Sequence, residues 1–278
     1  MRRIVMFCFV MLSICTSSFA QEEYRTGYEV RYDVEFSLDS LNLDKKQKET
    51  VYLFTGKSYG VFLNHNQANI KAIIETMERM EKLGNYDREK SGYRDSDFKE
   101  SIYKNFSEDR VVVRLPIVED IFVYTEPNVP FIWEMHEDSK DVMGYTVQKA
   151  TTSFAGRDYE AWFTLEIPIP DGPYVFYGLP GLIVELYDTE NHYHFTLQSL
   201  SKLEEEKVWR KPRGKSIDKT MRAELLSKEL DATIARAMKS FDSGNFSMEV
   251  NGQEIGASQY RRMLIEEAKK KNNRIERE

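Results

Sequence analysis

The stretch Asp171-Gly-Pro-Tyr-Val-Phe-Tyr-Gly178-Leu-Pro180-Gly181-Leu-Ile-Val-Glu-Leu-Tyr187 decides how this chain folds. Two prolines each fix a φ angle, and three glycines permit positive φ or close approach of another strand, so the run reads as a rigid corner. Leu182 to Tyr187 then reads as a mostly buried strand entered directly from the corner. A phosphate-cradling loop would need a helix at this point. Because a strand follows instead, Gly178, Pro180 and Gly181 read as structural residues where a sheet bends and backbones meet.

Outward from the corner the pattern is β-hairpins. Tyr145 to Thr152, a turn at Ala155-Gly156-Arg157, and Tyr159 to Ile167 precede it; a turn at Asp188-Thr-Glu-Asn191 and a strand from His192 to Leu200 follow it. Tyr159, Ala161, Phe163 and Leu165 share one face, which puts Trp162 on the other beside Glu160 and Thr164. Nearer the start, Tyr28 to Leu38 alternates strictly, and Thr50 to Phe54 turns at Thr55-Gly56-Lys57 into Ser58 to Leu63. Ile70, Ile73, Ile74, Met77, Met80 and Leu83 recur at helical spacing, predicting a helix near 67–83 that stops at Gly84-Asn85. Residues 86–109 are charged and weakly patterned and read as a mobile insertion, with a short helix at 97–105. Strands are expected at 111–115, 121–125 and 131–135. The charged run 204–215 reads as an exit from the sheet into a helical C-terminal extension, 216–278, with Asp218 as a helix cap.

The literal string Gly178-Leu-Pro-Gly-Leu-Ile183 resembles the signature of the GLPGLI family, secreted and largely uncharacterised proteins typical of Bacteroidetes. Gly144-Tyr145, Lys149-Ala150, Gly156-Arg157, Ala161-Trp162 and Ile167-Pro168-Ile-Pro170-Asp-Gly172-Pro173 resemble the pattern that family places upstream, so the similarity runs roughly over 133–187. The resemblance implies no biochemical activity.

Residues 1–20 combine Arg2-Arg3, an apolar run from Ile4 to Ile14 and Ser18-Phe19-Ala20, which is the layout of a signal peptide cleaved near Ala20-Gln21. The apolar run is too short to span a membrane. Both cysteines, Cys8 and Cys15, lie inside it; Ile14 is bulky where a lipoprotein signal before Cys15 wants a small residue. The expected mature chain, 21–278, thus has no disulfide and no thiolate, and its compartment is periplasmic or extracellular. Net charge is −7, and −9 once Arg2 and Arg3 are gone, which argues against a nucleic-acid partner.

His192-x-His194 on a strand would present two imidazoles on one face, half of a Zn²⁺ or Cu²⁺ site awaiting a third ligand such as His65, His136 or Glu185. No Gly-x-Ser-x-Gly elbow is present, and acidic pairs such as Glu119 with Asp120 or Glu160 with Glu166 are what an acidic sheet face offers by composition, so an enzyme is the least favoured reading. Arg157 and Trp162 are the ligand-binding or structural candidates, since an outward Trp needs cover.

These observations predict an α+β fold: a strongly curved, mainly antiparallel sheet of about eight to eleven strands forming an open half-barrel, with the helix near 67–83 and C-terminal helices beside it. By analogy of fold with periplasmic lipoprotein carriers, the expected role is a non-enzymatic envelope protein that holds an apolar or peptide ligand, or assists an outer-membrane partner, through its concave face. No cofactor is expected; metal binding at His192 and His194 is the alternative.

Overall fold

The computed structural model describes residues 22–276 except 89, 118, 128–130, 243–248, 251–252 and 272. The apolar leader with Cys8 and Cys15 lies outside the described residues. The chain is an α+β fold. Strands β1 (Glu23–Phe36), β2 (Gln47–Thr55) and β3 (Tyr59–Asn64) lead into helix α1 (His65–Lys82). Strands β4 (Ser101–Asn105), β5 (Arg110–Ile117), β6 (Asp120–Pro127), β7 (Glu134–Val142), β8 (Tyr145–Phe154) and β9 (Arg157–Thr164) follow. After the corner come β10 (Leu182–Asp188), β11 (Tyr193–Arg210) and β12 (Lys215–Ser216), then α2 (Lys219–Asp242), a ribbon of β13 (Glu249–Val250) and β14 (Gln253–Glu254), and α3 (Ala257–Lys269). Among the described residues no helix is long and apolar enough to cross a membrane.

Twelve strands form one sheet in the order β12-β6-β5-β4-β3-β2-β1-β11-β10-β9-β8-β7. Every neighbouring pair is antiparallel except β12 with β6. The connectivity requires strong curvature. Ten strand spacings separate β6 from β7, about 48 Å if the sheet were flat. The link from Pro127 to Glu134 reaches at most about 25 Å when extended. The wings must therefore curl toward each other into an open half-barrel, with β12 and β7 left as edges.

One apolar cluster lines the concave face from wing to wing, joining Val113 and Leu115 of β5, Val30 to Phe36 of β1, and Ala161 and Phe163 of β9. The corner 165–181 folds into that hollow: Ile167, Ile169, Tyr174, Val175, Phe176, Tyr177 and Leu179 are all buried. Each such aromatic or branched side chain contributes about 1.5–3 kcal/mol by leaving water. A second cluster, with Tyr24, Tyr52, Phe54 and Leu63, covers the convex face near α1. Asn64 starts α1 with a reciprocal capping box, its Oδ1 accepting from the Gln67 N–H at 2.9 Å and its own N–H donating to Gln67 Oε1 at 3.0 Å. The helix lies where the periodicity predicts, but only Ile73 of its apolar stripe is buried; Ile70 and Ile74 stay about half exposed.

Three expectations are corrected. Residues 101–105 are not part of a loop or helix but strand β4, buried throughout and paired on both sides with β3 and β5. Its alternation was hidden because the inward position after Ile102 is occupied by Lys104, which is fully buried. The strand expected at 131–135 begins at Glu134 and runs to Val142 in charged residues; this composition suits an edge, where charge discourages pairing with other chains. The charged run after Leu203 does not leave the sheet: β11 continues to Arg210, opposite Glu23 of β1.

Candidate functional site

The corner is held by backbone geometry and one buried ion pair. Gly178 has φ of 98°, a region costly for other residues, and its N–H donates to Pro170 O at 3.0 Å. A Cβ at Gly181 would overlap the Thr164 carbonyl oxygen, so the close approach expected from the sequence is a steric requirement. Pro180 is exposed at the bend. Asp171 and Lys104 form an ion pair with neither side chain exposed. The Lys104 ammonium also donates to Gly172 O at 2.7 Å and Phe176 O at 3.3 Å, so all three of its protons have acceptors. Asp171 Oδ2 accepts from Thr55 Oγ1 at 2.7 Å and Oδ1 from the Gly172 N–H at 2.8 Å. Burial lowers the Lys104 pKa and raises that of Asp171, each toward its neutral form, while their mutual attraction opposes both shifts. The cluster joins β2, β4 and the corner; its chemistry is structural.

Arg157 opens β9 at the mouth of the bowl and is buried. Its Nη1 lies 2.8 Å from Asp188 Oδ2, 3.0 Å from His192 Nδ1 and 3.6 Å from Glu190 Oε2. A guanidinium only donates, so His192 Nδ1 is the acceptor there. Asp188, Glu190 and His192 place potential metal-ligand atoms within 4.8 Å of one another, yet all three face Arg157, which stands as the cation of the cluster. The two histidines of the His192-x-His194 motif take different partners. His192 lies in the turn before β11, whereas His194 Nε2 meets Glu185 Oε1 at 2.8 Å on the convex face.

Trp162 shares that convex face and is covered, as an outward Trp requires. Lys140 of β7 lies over its ring at 4.1 Å, and its Nε1 donates to Glu160 Oε1 at 3.0 Å. Tyr187 also donates to Glu160 and Lys149 pairs with it at 2.5 Å. Burial pushes the Glu160 carboxyl up, but Lys149, Tyr187 and Trp162 outweigh it and hold it below the usual range. The hydrogen bond from His194, with Lys140 beside it, does the same for Glu185. The side chains of this patch satisfy one another.

An open space lies at the mouth. A cavity of about 500 Å³ runs between the concave face and α2, with Phe36, Phe98, Glu100, Tyr174, Arg222 and Leu226 among its walls. Residues 273–276 lie along its edge as a strap without regular secondary structure. Arg222, itself buried, pairs with Glu276 at 2.8 Å, and Tyr174 donates to the other oxygen of Glu276 at 2.7 Å. Among the described residues the Nε atoms of Arg222 and Arg157 are buried without an acceptor. Desolvation raises the Glu100 pKa, with Glu276 adding to it.

Of the residues singled out from sequence, Arg157 belongs to the mouth, Trp162 and His194 to the convex patch, and Gly178, Pro180 and Gly181 to the corner. Reasoning from sequence missed Lys104, Asp171, Arg222, Asn273 and Glu276. Asp171 carried a signal, being an acid inside an otherwise apolar corner. Tyr159 was placed on the face opposite Trp162, but alternation does not say that its hydroxyl and that of Tyr193 reach residues 273–275.

A family model described as a protein of unknown function, Porph_ging, matches residues 155–185, which hold Arg157, Trp162 and the whole corner. No curated protein matches the chain. Two solved structures of PNGF-II, in the P21 and C2 space groups, each resemble it with a TM-score of 0.52 and 16% identity over 73% of this chain. The chain covers 34% and 33% of those two chains, about a third of their length. At that identity the likeness is one of fold.

Proposed function

We propose that this chain is a non-enzymatic binding or accessory protein of the cell envelope whose ligand is a peptide or similarly polar segment taken at the mouth of the bowl. The observation that carries this reading is the division of the concave face. The apolar hollow is filled by residues 167–179, whereas the remaining cavity of about 500 Å³ carries Glu100, Arg222 and Glu276 beside its apolar walls. That volume lies within the range of ligand sites, and the Arg222 guanidinium in its wall suits a carbonyl or carboxylate oxygen better than an acyl chain. The envelope location follows from the signal-peptide pattern of 1–20. The string Gly178 to Ile183, which lies within the stretch matched by the family model, supports placing the chain with the GLPGLI family. An outer-membrane partner that supplies the segment fits the same reading. The pairing of the mouth's charged groups, Arg157 with Asp188 and Arg222 with Glu276, favours holding over catalysis.

Native mass spectrometry of the mature protein from its own host tests this. The expected result is a co-purifying peptide or polar ligand, lost in a Leu226→Trp variant that fills the cavity and keeps its fold. A bound lipid, or no ligand at all, would overturn the reading. Metal binding is the second reading, now at Asp188, Glu190 and His192 rather than at His192 and His194. With Arg157 held against those three side chains, the peptide reading expects no Zn²⁺ uptake by the unaltered protein in equilibrium dialysis; stoichiometric uptake by it would favour the metal reading.

A further inference from the structure

The strap at 273–276 is gripped through its main chain, as a receptor grips a bound peptide. Three consecutive carbonyls are read by side chains of the rim: Asn273 O accepts from Tyr193 Oη at 2.7 Å, Arg274 O from Arg157 Nη2 at 2.7 Å, and Ile275 O from Tyr159 Oη at 3.0 Å. The Asn273 N–H donates to Leu38 O at 2.8 Å. Main-chain contacts of this sort give affinity for any extended segment, and side-chain pockets give the choice among segments. The choice here centres on Asn273, which is buried. Its Oδ1 accepts from Arg157 Nη2 at 2.6 Å and its Nδ2 donates to Ser37 O at 2.6 Å, so both ends of the amide are read. A carboxylate would lose the second contact, and an aliphatic side chain both. Ile275 packs against the core cluster, and Glu276 meets Arg222 and Tyr174.

We infer that the mouth is a binding site for a peptide segment that buries an asparagine and presents an aliphatic residue and an acid two and three positions later, and that Asn273 to Glu276 occupy it as an internal copy of that ligand. The inference rests on the proposed function and deepens it by naming the ligand class. Two further observations bear on the groove and its grip. Residues of the strap line the 500 Å³ cavity without filling it, so the groove is wider than its occupant. The three tyrosines that grip it, Tyr159, Tyr174 and Tyr193, have pKa values raised chiefly by burial, which keeps them as donors to whatever carbonyl or carboxylate lies there.

The test uses the full mature chain and a fluorescent peptide of residues 269–278, Lys-Lys-Lys-Asn-Asn-Arg-Ile-Glu-Arg-Glu, followed by anisotropy. In the unaltered protein the strap competes at the high local concentration of a tethered ligand, so the probe should bind weakly. In Asn273→Ala it should bind at least about tenfold more tightly. A control peptide with alanine in place of its own Asn273, equal in charge, should bind that variant at least about tenfold more weakly than the probe, having lost the buried amide contacts. Equal binding of probe and control, or equal binding to both proteins, would overturn the inference. If Asn273→Ala does not fold, Ile275→Ala, which trims only the apolar anchor of the strap, replaces it with the same expected outcomes. A failed probe alongside a native ligand still lost in Leu226→Trp would reject the peptide while keeping the mouth as a site. Failure of both would remove the proposed function as well.

Discussion

At the scale of single residues, the fold depends on groups that hydropathy alone would assign to solvent. Lys104 and Asp171 are the clearest case, since together they tie β4 to the corner from a site with no exposure. Removing one partner leaves a desolvated charge, so Asp171→Ala should cost about 3–5 kcal/mol in urea unfolding. Lys104→Met combined with Asp171→Asn, which removes both charges, should cost less than that single change. Glu100 behaves differently, because its pKa in the folded chain is raised above the ordinary 4.5. A raised group stabilises the fold fully below its unfolded pKa, and that contribution is lost as pH rises through the folded value. Glu100→Gln should therefore raise the melting temperature near neutral pH. The gain should vanish below the ordinary carboxylate value of 4.5. A gain independent of pH would mean that packing rather than charge decides at this position.

At the scale of elements, what could be read in advance depended on whether each strand's inward face was apolar. β1, β9 and the start of β11 alternate, β10 reads as a short continuous apolar run, and the helix near 67–83 was evident from its spacing. β4 was not, because Lys104 takes an inward place beside Ile102, and a buried lysine is intelligible only once its partner 67 positions later is known to lie against it. β7 was missed from 136 onward because an edge strand is charged for the same reason that a loop is. The corner was recognised as structural, yet its role as the filling of the bowl depends on which strands surround it. The start of α1 offers a test at this scale. Asn64 caps the helix and also donates through Nδ2 to Phe98 O at 2.7 Å, joining the convex helix to the concave core. Asn64→Ala removes the cap, worth about 0.5–2 kcal/mol, together with a buried hydrogen bond worth about 1 kcal/mol. Chemical denaturation should show a loss near the sum, larger than for an exposed cap.

At the scale of the whole molecule, the sheet's order turns a short link between β6 and β7 into a bowl, and the corner determines what the bowl can contain. Phe176 sits at the centre of the filling, its ring 4.6 Å from that of Tyr159, 5.0 Å from Phe131 and 5.6 Å from Phe154. While it is in place, no room remains there for a lipid tail; the open volume is at the rim, among Arg222, Glu100 and the strap. None of this was accessible from the chain before folding, because the residues that grip the strap are spread from Ser37 to Arg222 and meet only when the wings curl together. Two outcomes should follow. The unaltered protein should not take up a fluorescent long-chain fatty acid, whereas a carrier would bind it stoichiometrically. Phe176→Ala should cost about 3–5 kcal/mol and leave a dry apolar cavity, which a benzene-sized ligand should partly restabilise in a thermal melt. If instead the unaltered protein binds the fatty acid and Phe176→Ala binds it no better, the corner must leave the bowl to admit lipid, and the hollow rather than the mouth would be the ligand site.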